Sequence, residues 1–173
     1  IRGDDHLTNA ARQSLIFKAN NWTLPKFAHI PLMHGSDGFK LSKRHGALGV
    51  EYYRETGYPS AAVVNYLAGL GWSFHDKEIF SLNEAAKEFT LEKLSRSPSR
   101  LDTDKLSHIS GVYINNASTK ELRKWFGELG NSKKEVIHYH KIFDSISSSI
   151  GIFKKRAKTL NDIISASFFV YFL

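Results

Sequence analysis

The sequence predicts a mainly helical chain that opens on a partial α/β segment. Three observations carry this reading. Strand and loop signals, with eight of the twelve glycines, fall before residue 72. After residue 50, apolar residues recur at helical spacing. Helix-start signals, two of them capping boxes, punctuate that later part.

Residues 8–20 read as a helix, with Thr8 able to cap it, Ala11, Leu15 and Ala19 at helical spacing, and Asn20-Asn21 as its stop. Phe27 to Met33 reads as a short strand whose Pro31 favours a sheet edge or strand end. His34-Gly35-Ser36-Asp37-Gly38 is a turn by composition. A helix from Val50 ends at Gly57. The next has Pro59 at its first turn, carries the stripe Ala62, Val63, Tyr66, Leu67 and Leu70, and closes at Gly71. Ser81-Leu82-Asn83-Glu84 and Ser118-Thr119-Lys120-Glu121 have the form of capping boxes, and Asp102 caps a helix through Tyr113. Helices are expected over 119–129, 133–146 and 153–172, with 145–151 as the only low-complexity linker. Breaks near 72–81 and 115–118 divide the chain into three pieces.

With 173 residues and 42% apolar content, the chain suits one domain or two small ones and is too apolar to be disordered. It has no cysteine, which excludes disulfides, thiolate metal sites and cysteine nucleophiles. The longest mostly apolar stretch, 163–173, is too short to span a bilayer, and no signal-peptide pattern opens the chain, so the cytoplasm is the expected compartment. The net charge of +7 is unevenly spread, +2 over residues 1–117 (14 basic, 12 acidic) and +5 over 118–173 (10 basic, 5 acidic). That bias is read either as attraction to a polyanion or as a solvated basic surface. The opening Ile1-Arg2-Gly3 and the closing run Phe168 to Leu173 both read as cut from something larger.

Lys40-Leu41-Ser42-Lys43-Arg44-His45-Gly46 is the most informative segment. Three cations and a hydroxyl fall within five residues between glycines, so the segment can present ammonium groups to phosphates, or can be a solvated basic turn. Arg2 suits either bidentate carboxylate binding or a salt bridge with Asp4 or Asp5. His6 by itself reads as an ordinary surface or core histidine. His138 and His140 lie two apart on a helix and make a poor metal pair, and His29 and His34 have no carboxylate at metal spacing. Trp22, Trp72 and Trp125 read as core or rim aromatics, and Lys154-Lys155-Arg156 with Lys158 as a solvated helix face in preference to a contact with RNA backbone.

The 40–46 segment resembles the lysine loop of class I aminoacyl-tRNA synthetases. Its surroundings resemble the bacterial glutamyl-tRNA synthetases in order and spacing: Ile1 to Leu7, Asn9, Arg12-Gln13, Phe27 to Leu32, Asp37-Gly38, Tyr53-Arg54, Gly57-Tyr58, Asn65-Tyr66-Leu67, Leu70 to Ser73, Glu78-Ile79-Phe80, Asp104-Lys105-Leu106 and Tyr113-Ile114-Asn115. The likeness fades after Asn116 and returns weakly at Arg156 to Leu160, so about two-thirds of the chain is covered closely.

The resemblance implies the remnant of a nucleotide-binding, Rossmann-like catalytic domain over 1–71, a stem-contact region over 72–117 and the opening of a helical anticodon-binding domain over 118–173. It implies ATP-dependent joining of L-glutamate to tRNA(Glu), with Mg2+ accompanying ATP and no structural metal. Lys43 and Lys40 are then the catalytic residues, Lys43 on the ATP phosphates and Lys40 helping to set the position of the loop, with Leu41, Ser42 and Arg44 beside them in ATP binding. Arg2, Asp5 and His6 line the substrate pocket, Arg2 facing the glutamate side chain. Asp5 stands where the family more often has glutamate, one methylene longer. The family's histidine–glycine–histidine signature does not occur in this sequence. The chain therefore reads as starting in the second half of the catalytic domain, inactive alone, from a monomeric parent with no membrane partner. A non-catalytic tRNA-binding or interaction module of the same fold and the glutaminyl branch are the alternatives. Self-association through exposed apolar ends is expected, with residues 50–115 the most stable part.

Overall fold

A computed structural model describes residues 1–35, 38–41, 49–74 and 77–171. Strand β1 (Arg2–Gly3) runs through a 3-10 turn (Asp4–His6) into helix α1 (Leu7–Ala19), which returns to β2 (His29–Ile30). The strands β1 and β2 pair in parallel, Arg2 against His29 and Gly3 against Ile30. Parallel neighbours need a crossover, and α1 supplies it. Strand β3 (Met33–His34) pairs in parallel with β4 (Ser99–Arg100). The single strand expected over 27–33 is therefore two short ones interrupted at Pro31, whose missing N–H breaks the ladder. Thr8 lies inside α1, and no side chain caps that helix because the 3-10 turn leads directly into it. Asn20 closes α1, and Asn21 takes the left-handed conformation (φ 54°).

Helix α2 (Val50–Thr56) ends on Gly57, at φ +90°. Helix α3 (Ser60–Gly71) follows Pro59. Helix α4 (Leu82–Glu88) starts in the expected box: Ser81 accepts from the Glu84 N–H, and Glu84 accepts from the Ser81 N–H. Helix α5 (Thr103–Asn116) is capped by Asp102, which accepts from the Lys105 N–H at 2.9 Å. Helix α6 (Thr119–Lys133) opens in the second box, between Ser118 and Glu121. Helices α7 (Val136–Ile146), α8 (Ile150–Phe153) and α9 (Leu160–Tyr171) complete the chain.

Three outcomes differ from the periodicity-based reading. First, α6 continues past 129, because Gly127 and Gly130 serve packing rather than termination. A Cβ on Gly130 would lie 2.9 Å from Val136 Cα, and one on Gly127 3.0 Å from His140 Cε1. These glycines let α7 fold back closely onto α6. Second, residues 145–151 are not a solvated linker, since Ile146 and Ile150 are buried. Third, the helix expected over 153–172 is broken between Phe153 and Leu160. Asp162 accepts from the Lys158 and Thr159 N–H groups and so caps α9 anew, while Leu160 N–H donates to Gly57 O at 2.8 Å. The basic run is accordingly not a helix face. Lys154 Nζ donates to Ala117 O at 2.8 Å, and the Lys158 side chain lies over Gly111.

The core has three parts. The largest joins Ile114, Leu122, Phe126, Phe143, Ile146, Leu160 and Ile163 across α5, α6, α7 and α9. A second joins Ala62, Val63 and Tyr66 of α3 to Leu106 and Ile109 of α5. The third stacks Trp72, Phe74 and Phe80 on Ala85. The largest buried cluster thus lies over 114–163 rather than within 50–115. Buried Asn65 ties the middle together: its Nδ2 donates to Glu78 O, and its Oδ1 accepts from Phe80 N–H and Tyr113 Oη. Tyr66 Oη accepts from the Asp102 N–H at 2.6 Å. At the chain's end Phe168 and Phe169 are exposed, whereas Val170 packs on the large core.

Candidate functional site

The parallel pair β1–β2 ends in the turn that carries Asp4, Asp5 and His6, so residues 2–6 are presented from a fixed backbone. Gly3 makes room there. A Cβ at this position would lie 2.7 Å from Asp5 Oδ1 and 3.0 Å from Leu32 Cδ2. A side chain would push the Asp5 carboxylate aside.

The second contributor is a tight reversal. Leu41 N–H donates to Met33 O, Gly35 N–H to Phe39 O and Gly38 N–H to Gly35 O, with Gly38 at φ +79°. Lys40 bridges to His34 within it. The reversal brings the first residue of the basic segment onto the first turn of the chain: Lys40 Nζ lies 2.6 Å from Asp5 Oδ2. This bond is the main reason the Asp5 carboxyl is held below the usual carboxylate range. His6 Nε2 stands 3.9 Å from Asp5 Oδ1, and its Nδ1 lies 3.1 Å from Asn9 Nδ2.

Arg2 takes neither Asp4 nor Asp5 as a partner. Its Nη2 donates to Gln13 Oε1 of α1 at 2.8 Å, and its guanidinium lies over the Phe27 ring, 5.5 Å from the centroid. The plane of the fork is therefore held from two sides while further N–H groups stay available. Gln13, Asn9 and Phe27 were not singled out as site residues by sequence reasoning. The signal available was positional: Asn9 and Gln13 lie four apart on one face of α1.

The structure thus brings Arg2, Asp5, His6 and Lys40 to one end of the β1–β2 pair, with Leu41 adjoining. Ser42, Lys43 and Arg44 lie outside the described residues. Elsewhere, Trp72 and Trp125 are core aromatics, while Trp22 is exposed with its ring edge-on to Phe17. His140 packs on Gly127. Among the described residues no group of three or more His, Asp or Glu side chains gathers at metal-ligand spacing, and no helix is long and apolar enough to cross a membrane.

Parallel strands joined through a helix place the start of the chain in the α/β class, with helices following. Residues 1–108 match the family model of the catalytic domain of class I tRNA synthetases (E and Q), and the chain belongs to that family. The glutamate–tRNA ligase of Azorhizobium caulinodans is 44% identical over 178 residues, covering 99% of this chain and 37% of that protein. Glutamate–tRNA ligase 2 of Parvibaculum lavamentivorans is 57% identical over 122 residues, covering 70% of this chain and 25% of that protein. The crystal structure of a glutamate tRNA ligase from Elizabethkingia meningosepticum, in complex with its amino acid, superposes with a TM-score of 0.74 at 30% identity over 97% of this chain and 36% of that one. The chain spans little more than a third of the length of most of these relatives.

Proposed function

We propose that this chain is part of a glutamate–tRNA ligase, which activates L-glutamate with ATP and transfers it to the 3′ end of tRNA(Glu) in the cytoplasm. In this reading residues 1–71 are the end of a Rossmann-like catalytic domain, 72–117 a stem-contact region and 118–173 the start of an anticodon-binding domain. The observation that supports it best is the 2.6 Å contact of Lys40 with Asp5, because it joins the basic segment to the turn that carries Arg2.

The chemistry is attack of the glutamate α-carboxylate on the α-phosphorus of ATP, with pyrophosphate leaving. Arg2, held in plane by Gln13 and Phe27, offers its remaining N–H groups to the glutamate side-chain carboxylate. Asp5 and His6 line the same pocket. Lys43, assisted by Lys40, Leu41, Ser42 and Arg44 of the same segment of sequence, neutralises charge that grows on the phosphoryl oxygens in the transition state. Magnesium would arrive with ATP and would supply further charge neutralisation for its phosphates.

The test is a segment swap. Residues 1–173 replace the matching segment of the Azorhizobium caulinodans enzyme, and glutamate-dependent pyrophosphate exchange is measured. The expected result is exchange with glutamate and not with glutamine. Lys43→Ala in the swapped enzyme should then lower kcat roughly a hundredfold, about 3 kcal/mol, with little change in KM for glutamate. A folded chimera without exchange, or one indifferent to Lys43→Ala, would overturn the assignment.

A further inference from the structure

A cleft of about 560 Å³ lies between α3, α4, α5 and α6, remote in sequence from the basic segment. Its walls are apolar, with Val64, Ile79, Leu82 and Trp125 among them. Val64 and Leu82 are exposed, at 42% and 66%, so these two walls are open to solvent, whereas Trp125 shows only an edge, at 8%. Although the whole chain carries +7, the described residues lining this cleft include no Lys, Arg or His. Their only charged side chains are Glu84 and Glu121.

Each of these carboxylates belongs to a capping box, which fixes its place. Glu121 Oε2 accepts from Ser118 N–H at 2.9 Å and from Ser118 Oγ at 2.7 Å, which leaves Oε1 without a partner among the described residues. Glu84 Oε2 accepts from Ser81 N–H and Oγ, both at 2.8 Å, and its Oε1 faces Lys77 at 3.6 Å. The hydrogen bonds from Ser118 and Ser81 hold both carboxyls below the usual range, so they stay ionised. An anchored carboxylate with a free oxygen suits an ammonium donor, and the exposed Val64 and Leu82 side chains suit an apolar body, with the edge of the mostly buried Trp125 at the back of the cleft. The volume is that of a small-molecule site. Lys77 pairs with Glu84 and Lys154 with the Ala117 carbonyl, so Glu121 is the cleft's one carboxylate without a cation among the described residues.

We propose that this cleft binds a small apolar amine, its ammonium on Glu121 and its apolar body against Val64, Leu82 and Trp125. This site goes beyond the ligase reading and does not depend on it.

The test is titration of the full chain with tryptamine, followed by amide and indole N–H chemical shifts. The control is indole-3-propionate, the same ring with a negative charge. Tryptamine should saturate with a dissociation constant of about 1 mM, the range for a ligand of roughly a dozen heavy atoms. Shifts should concentrate at Val64, Leu82, Glu121 and the Trp125 indole. Indole-3-propionate should bind roughly tenfold more weakly, and E121Q, which keeps an oxygen for Ser118, should weaken tryptamine about fivefold. V64K, on an exposed face of α3, places its own ammonium in the cleft and should abolish binding. Equal affinity for the amine and the acid, shifts centred on Trp22, or tryptamine binding unaffected by both variants would overturn the proposal, as would no saturation by about 10 mM.

Discussion

Helices α1 and α6 are of similar length, 13 and 15 residues, yet they are held in opposite ways. Helix α6 buries Leu122, Trp125, Phe126, Gly127, Leu129 and Gly130. Helix α1 buries only Ala10, and its Leu7, Leu15 and Ile16 are 62%, 65% and 55% exposed. What α1 contributes instead is polar: Gln13 to Arg2, and Asn9 to His6. One helix is shaped by the core it fills and the other by the side chains it orients. The folding free energy of the described chain is therefore concentrated far from its candidate chemistry.

The contrast can be broken most sharply at Phe126. It is fully buried and packs edge-on against Phe143 at 5.2 Å between centroids. Phe126→Ala should cost about 4 kcal/mol, while Leu15→Ala should stay within about 0.5 kcal/mol. Urea unfolding of the two variants measures the difference, and equal losses would mean that α1 is packed as firmly as α6.

A smaller effect is expected at Gly57. Its φ is +90°, and an added Cβ would lie 3.1 Å from the Asn161 N atom, so both backbone shape and space oppose a side chain. Gly57→Ala should destabilise by about 1–2 kcal/mol, seen as a lower thermal midpoint. A neutral result would show that α2 and α9 can part freely. Ser118→Ala removes one half of a capping box and should cost about 1 kcal/mol, whereas Thr8→Ala, inside α1, should change little. If Thr8→Ala proved the more costly, Thr8 would be a cap and α1 would begin at Asn9 rather than Leu7.

The smallest effect concerns pH. Lys40 depresses the carboxyl pKa of Asp5, so the stabilising contact is fully present above the ordinary aspartate range. It is lost as pH falls through the depressed value. The Asp5 carboxyl resonance should therefore titrate below its usual position in the wild type and return to it in Lys40→Ala. An unchanged midpoint would separate Asp5 from Lys40 in solution.

Much of the helical part was legible, because its signals are local. Ser81 with Glu84, Ser118 with Glu121, and Asp102 sit three residues from the groups they serve, and Gly57 marks a left-handed helix end within one turn. What escaped depends on distant partners. Gly130 resembles a helix stop until Val136 and Tyr139 are seen against it. The break before α9 follows from the Gly57 carbonyl, and no periodicity in 153–172 encodes that. The candidate site shows the same division. The composition of the lysine segment drew attention by itself, whereas Arg2, Asp5 and His6 were pointed to by the family resemblance and not by residue type alone. The Lys40–Asp5 bond spans 35 positions, and Arg2 turned to Gln13 rather than to its acidic neighbours, a choice set by the placement of α1 beside β1.

The junction of α2 with α9 also bears on how the chain reaches this state. Leu160 N–H meets Gly57 O, and Asn161 Nδ2 donates to Glu55 O and Thr56 O across 106 and 105 positions. These bonds tie off a loop of roughly a hundred residues, whose closure costs about 4 kcal/mol of chain entropy plus a constant. Few hydrogen bonds cannot offset that by themselves. The α6–α7 hairpin and the α3–α5 packing must form first and shorten the effective loop. The clasp between α2 and α9 is then expected to close late in folding and to loosen early on warming, which amide exchange at Leu160 would report.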